Sequence, residues 1–195
     1  MKKVLNVLGV ALLLLGMSFS QYDKKIVVID AGHGGNDHGV VVDNNAEKAI
    51  SLAIAKKVQN LFKDSEVEIV LLRDEDKFVP LTDRVAKIQK LNPDYVISLH
   101  MDSAKDTNRN GSTIYTSKKG KKHEASQALA QKFKNTDYFK DAQLGNANFI
   151  LLRQVDCPSV IVEMGFLTNE ADRANLSSEN GQAAIAEAIA SVIKS

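Results

Sequence analysis

The chain of 195 residues has one cysteine, Cys157, no tryptophan and three prolines. A lone cysteine excludes an internal disulfide, so stability has to come from packing, with a bound metal as the other available cross-link. Cys157 itself reads as a small buried apolar residue. Neither charge sign is in excess: 25 basic residues stand against 24 acidic ones. That balance argues against nucleic acid as a partner. No stretch is rich in proline, glycine or serine, and neither a repeat nor a linker breaks the sequence. One domain with a substantial core is expected. Its one basic cluster, Lys118-Lys119-Gly120-Lys121-Lys122-His123, reads as a solvated turn before a helix.

The first residues follow a different pattern. Lys2-Lys3 precedes a mostly apolar stretch from Val4 to Met17, and Ser18-Phe19-Ser20 offers small residues after it. This is the layout of a secretory signal peptide, residues 1–20, with cleavage expected before Gln21. The apolar run is shorter than the ~20 residues a spanning helix needs. No cysteine stands at the cleavage region, which argues against lipid attachment there. Residues 21–195 are therefore expected to be exported, to the periplasm or to the extracellular cell wall, with no stable membrane anchor after cleavage. Lys2 and Lys3 leave with the signal, taking 25 basic residues to 23 against 24 acidic, a formal charge of −1.

Beyond the signal, short apolar runs alternate with segments of helical period. Strands are expected over 25–30, 67–73, 95–100, 112–116, 148–152 and 159–163, and helices over 46–62, 81–91, 123–133 and 181–193. The first helix places Ile50, Ile54, Val58, Leu61 and Phe62 on one face, a three-to-four residue period. Such alternation predicts an α/β fold: a single three-layer domain whose mostly parallel central sheet of about six strands is flanked by helices.

Four titratable residues share an address at strand ends or a helix start. The run Ile26-Val-Val-Ile-Asp30 leads into Ala31-Gly32-His33-Gly34-Gly35, so glycines turn the chain sharply just where a histidine appears. Glu47 opens the following helix, His100 ends Tyr95-Val-Ile-Ser-Leu, and Glu163 ends Ser159-Val-Ile-Val. Ligands of open α/β sheets collect at the carboxyl ends of strands, so these side chains are expected to converge. Each has a plainer reading alone: a hydrogen-bonded structural histidine, or an acid complementing a helix dipole. Glu163 resists it, because a charge buried at the end of an apolar strand is expensive without a partner. Two histidines and a carboxylate suit a zinc ion with an open fourth position, and a further glutamate can act as general base. The inventory fits hydrolysis of an amide. His38 and His123 lack the strand-end context. Asp37 either orients His33 or is an exposed loop acid, and Arg73 and Arg84 read as structural donors.

Taken together, Val28-Ile-Asp-Ala-Gly-His-Gly-Gly-Asn-Asp37, Glu47-Lys48, Ser98-Leu-His100 and Val162-Glu-Met-Gly-Phe-Leu-Thr-Asn169 resemble the zinc-dependent N-acetylmuramoyl-L-alanine amidases of the amidase-3 type. Leu72-Arg73-Asp74 and Leu81-Thr-Asp-Arg84 look like that family's intervening segments, so the resemblance spans essentially the whole mature chain. It implies that His33, Glu47 and His100 hold one Zn2+ and that Glu163 is the catalytic acid/base. It further implies peptidoglycan as substrate, cut between the lactyl group of N-acetylmuramic acid and L-alanine. Ala31 stands where the family commonly has proline. Met101-Asp102-Ser103 replaces small residues and asparagine, bringing negative charge beside the site if Asp102 points inward. No long insertion separates His100 from Glu163, so regulation, if any, is expected from a protein activator. Two other readings share the residues: a zinc carboxypeptidase or deacetylase acting on another cell-wall amide, and a wall-binding module without catalysis.

Overall fold

A computed structural model describes residues 24–195; the signal peptide expected over 1–20 lies outside them. β1 (Lys25–Ala31) buries every residue from Val27 onward, as befits a central strand covered on both faces. After a short hairpin, β2 (Val41–Val42) and β3 (Asn45–Ala46), the chain enters α1 (Glu47–Leu61). β4 (Val67–Leu71), α2 (Leu81–Leu91), β5 (Tyr95–Asp102) and β6 (Thr113–Thr116) follow. Then come α3 (His123–Phe133), β7 (Gln143–Asn146), α4 (Ile150–Gln154), β8 (Ser159–Phe166), α5 (Glu170–Ser177) and α6 (Glu179–Lys194).

The six-stranded sheet has the order β4-β1-β5-β8-β6-β7. β4, β1, β5 and β8 run parallel, β6 is antiparallel to β8, and β7 is parallel to β6. The expected mostly parallel sheet is what forms. One face carries Val27, Ile29, Ile97, Leu99 and Val162 against α1, α3 and α6. The other carries Val28, Val96 and Ile161 against Val85 and Ile88 of α2 and Leu151 and Leu152 of α4.

This arrangement decides where a site can lie. The connection from β1 through α1 turns to one side, onto β4. The next, through α2, passes back across β1 to β5 on the opposite face. Connections that leave neighbouring strands in opposite directions open a crevice between their carboxyl ends. Here that crevice lies between β1 and β5, with β8 alongside, and His100 is paired in register with Glu163. The strands that carry His33, His100 and Glu163 are therefore adjacent.

Three differences from expectation are local. The apolar run 148–152 is not a strand: from Ile150 it enters helix α4, which buries Leu151 and Leu152 toward α2. A run that short has no period by which to tell a strand from a buried helix turn. The sixth strand is β7, hidden in the sequence by Gly145, whose missing side chain leaves room for the Tyr115 ring. The unforeseen α5 is capped by Asn169, whose side chain accepts from the amide of Asp172 at 3.1 Å. Among the described residues, no helix is long and apolar enough to cross a membrane.

Ile189 of α6 is fully buried in the cluster it shares with α1. Ile189→Ala is expected to cost about 2–5 kcal/mol, read as a lower urea midpoint at unchanged slope. A change within about 0.5 kcal/mol would mean this face is not packed as described.

Candidate metal centre

The site begins with the turn after β1. His33 sits at φ 60°, a left-handed conformation that residues with a side chain rarely adopt. A short bridge closes the turn, Gly34 N–H to Asp37 O at 2.9 Å and Asp37 N–H to Gly34 O at 3.1 Å. Gly32 is required because a Cβ there would collide with the His100 ring, and at Gly39 it would collide with Glu47 and His33. The glycines thus bring backbone against the ring and carboxyl groups themselves.

Two buried guanidinium groups hold this turn. Arg73 donates to Ala31 O at 2.9 Å and Gly32 O at 2.7 Å. Arg84 donates to Ala31 O at 2.8 Å and His33 O at 2.6 Å. Three successive carbonyls are therefore fixed by arginine, which suits a segment that makes few ladder bonds. Arg84 also pairs with Asp30, and Ser98 donates to the other Asp30 oxygen at 2.7 Å. Both arginines are structural donors, as expected. The Asp30–Arg84–Ser98 network itself was not anticipated. Its signal is the placement of Asp30 and Ser98 at core-facing positions of two otherwise apolar strands.

His33, Glu47 and His100 converge. Their ligand atoms all lie within 4.8 Å of one another, and they are the group of three or more donors found among the described residues. Glu47 Oε1 lies 3.1 Å from His33 Nε2 and 2.9 Å from His100 Nδ1, and it accepts from the Met101 amide at 3.0 Å. Its other oxygen accepts from the Val40 amide at 2.9 Å. Burial pushes the Glu47 carboxyl up, but the bonds to His100 and His33 outweigh it and hold the pKa well below the usual carboxylate range. The Glu47 contact raises His33 to about 9, against burial and with help from Asp37. Asp37 bonds His33 Nδ1 at 2.9 Å, leaving Nε2 for the centre, so of its two readings the orienting one describes its place. Two imidazole nitrogens and one carboxylate oxygen, meeting at a cleft, form a donor set that fits zinc with a fourth position open.

Glu163 lines the same cavity of about 570 Å³. Burial raises its carboxyl to about 7, opposed by His100 and reinforced by Glu47 and Asp102. Its Oε2 is buried without a hydrogen-bond partner among the described residues. Asp102 is half-buried and accepts from Ser103 N at 2.7 Å, and its charge does reach Glu163. His38 is exposed, and neither His38 nor His123 joins the donor group. Cys157 is buried, with its thiol pushed up to about 11 by burial. The lysines of 118–122 are exposed, and Lys121 pairs with Asp156.

Two outcomes are expected. Arg84→Leu leaves Asp30 buried without its cation and is expected to cost about 3–5 kcal/mol in urea unfolding. A loss below about 1 kcal/mol would show that the clamp is dispensable. The second concerns protons. With His33 raised above 6.5, its contribution to stability is full below that pH and is lost as pH rises through about 9. Glu47, held below 4.5, contributes above that pH and loses its contribution in acid. Zinc binding to metal-free protein at about pH 7.5 is therefore expected to release a proton from His33. Calorimetry in buffers of different ionisation enthalpy measures it, and zero protons released would contradict the assignment.

The sequence matches the amidase-3 family, N-acetylmuramoyl-L-alanine amidase, over residues 27–195. The probable cell wall amidase LytH of Staphylococcus epidermidis is 30% identical over 186 residues, covering 91% of this chain and 60% of LytH, so the chain spans under two thirds of that relative. The structure of the amidase AmiC2 of Nostoc punctiforme superposes with a TM-score of 0.79 at 35% identity, covering 88% of this chain and 96% of that one. The CwlD amidase of Clostridioides difficile, solved in complex with the GerS lipoprotein, gives 0.80 at 27% identity, covering 87% and 96%. With the family model matching residues 27–195 and these solved structures superposing over nearly nine tenths of it, the chain belongs to the N-acetylmuramoyl-L-alanine amidase family of the amidase-3 type.

Proposed function

We propose that the protein is an exported zinc amidase that cuts peptidoglycan between the lactyl group of N-acetylmuramic acid and L-alanine. His33, Glu47 and His100 hold the ion, and Glu163 is the acid/base. The observation that carries this reading is the pairing of two unlike glutamates in one cleft. Glu47 is saturated with hydrogen bonds and kept ionised, as a ligand needs to be. Glu163 is half-buried, has a buried Oε2 with no partner among the described residues and is raised to about 7, where a proton can be both taken and given.

Zinc in this donor set would polarise the scissile carbonyl and acidify water. Glu163 accepts the proton of the attacking water at Oε2. It returns that proton to the alanine nitrogen as the C–N bond breaks, so the amine leaves uncharged. Asp37 keeps Nε2 of His33 turned to the centre throughout. A carboxypeptidase or deacetylase would use the same groups. Family membership and the cell-wall relatives favour the muramoyl amide. Residues 1–20 serve as the export signal, in keeping with a substrate outside the membrane. That CwlD is complexed with a lipoprotein supports a protein activator for this chain also.

Glu163→Gln is expected to retain one zinc per chain while releasing stem peptide from purified sacculi at least 100-fold more slowly, the lower end of general acid–base contributions of about 10²–10⁴. An undiminished rate with zinc in place would end the assignment. Loss of a terminal amino acid, or release of acetate, would transfer the chemistry to another amide.

A further inference from the structure

Among the described residues, the large apolar side chains left exposed are Val41, Leu61, Phe78, Leu81, Leu144, Phe149 and Ile150. Four of them, Phe78, Leu81, Phe149 and Ile150, line the single cavity that holds His33, His100 and Glu163. They come from two separate segments. Residues 78–81 lead into α2, and 149–151 begin α4. The cavity thus has an ionic floor and two uncharged walls, whereas exposed apolar groups scattered by chance would not gather there.

Both walls are held in place. The backbone of Phe78 packs so closely on Gly35 that a Cβ there would strike it, and Gly34 meets Lys77 O in the same way. Arg84 donates to Val79 O at 3.0 Å while also holding His33 O, so one guanidinium fixes wall and metal turn together. On the other side Phe149 meets Tyr115 edge-on, with centroids 5.7 Å apart at 88°. Tyr115 in turn lies over Gly145, and Leu151 and Leu152 anchor α4 in the core. An exposed aromatic kept rigid is a prepared contact surface, because little side-chain freedom remains to be lost on binding.

Building on the amidase reading, we propose that Phe78 and Phe149 form a slot that grips the muramoyl side of the scissile bond. The two halves of the substrate differ in charge. The acyl half is an N-acetylated sugar bearing a lactyl ether; once amidated it is uncharged, with C–H ring faces and two methyl groups. The amine half is a peptide that ends in a carboxylate. Walls without a charge or a free donor would strip water from a carboxylate and give nothing back. Against sugar faces and methyl groups they lose nothing and remove apolar surface from water. Phe78 and Phe149 are therefore specificity residues for the glycan side.

The test compares zinc-loaded wild type with Phe78→Ala, Phe149→Ala and the double variant on two substrates. One is an N-acetylmuramoyl-L-alanyl peptide, and the other is the same peptide capped with D-lactyl alone. On the muramoyl substrate each single change is expected to raise KM about tenfold with kcat nearly unchanged, a typical loss for one well-packed aromatic contact. On the lactyl-capped peptide the wild type is already weakened by a similar factor, and the variants lose less than twofold. Binding of the muramoyl peptide to Glu163→Gln protein weakens in parallel when the Phe changes are added. Zinc content stays unchanged, and Tm falls by no more than a few degrees, the loss expected for the edge-on contact of Phe149 with Tyr115. Equal losses on both substrates would place the peptide half in the slot and overturn the proposal. So would a muramoyl KM indifferent to both changes. A wild type that cleaves neither substrate would instead overturn the amidase reading, and the slot with it.

Discussion

The arrangement depends first on two guanidinium groups placed under one turn. The chain after β1 must leave the sheet, reverse and present His33 inward, and this ends the ladder at Ala31 and leaves the carbonyls of Ala31, Gly32 and His33 without strand partners. Their carbonyls would be buried acceptors without donors, each costing about 1–3 kcal/mol. Arg73 and Arg84 supply those donors from β4's exit and from α2. The planar fork of arginine lets each guanidinium hold two of these carbonyls and reach a further one, Glu75 O for Arg73 and Val79 O for Arg84. Left-handed His33 is tolerable because the groups around it over-determine the turn.

Two buried arginines in turn demand an anion. Asp30 provides it from the same strand, bonded on one oxygen by Arg84 and on the other by Ser98. This explains why two strands that are otherwise apolar each give up a core-facing position to a polar group. A buried pair of this kind is weak evidence for added stability. Its value here is geometric: the α2 side, the β1 turn and the loop at Val79 are tied to one point, which lines the same cavity as His33 and His100. Ala31 in place of a rigid proline fits the same logic. The carbonyl of residue 31 takes two arginine bonds, so the turn is fixed from outside the chain and not by a pyrrolidine ring.

Much of this was legible in the sequence. The parallel strands announced themselves as apolar runs, and the expectation that His33, Glu47, His100 and Glu163 meet rested only on their places at strand ends and a helix start. His33, His100 and Glu163 do line one cleft, because β1, β5 and β8 are neighbours, and Glu47 meets the two histidines at its floor. What escaped was set by tertiary contact. The run 148–152 has no period long enough to declare itself a helix, and Gly145 hides β7 because its strand is shaped by the Tyr115 ring above it. The walls of the cleft were invisible for a similar reason. Phe78 and Phe149 lie in irregular segments, where an apolar residue carries no pattern, and only folding sets them on opposite sides of one cavity.

The deepest lesson concerns the two glutamates, which composition cannot distinguish. Both carboxyls are largely buried, and burial by itself pushes each toward the neutral acid. Glu47 escapes because its position at the first turn of α1 puts four partners around two oxygens: two imidazoles and the amides of Val40 and Met101. Glu163 sits within β8, and its buried Oε2 has no hydrogen-bond partner among the described residues. One group is thereby fixed as a permanent anion, while the other can trade a proton near neutrality. The proposed division between holding a cation and moving a proton thus follows from what each carboxyl meets across the crevice: a loop amide, a strand amide and two imidazoles around Glu47, and no donor at Oε2 of Glu163 among the described residues.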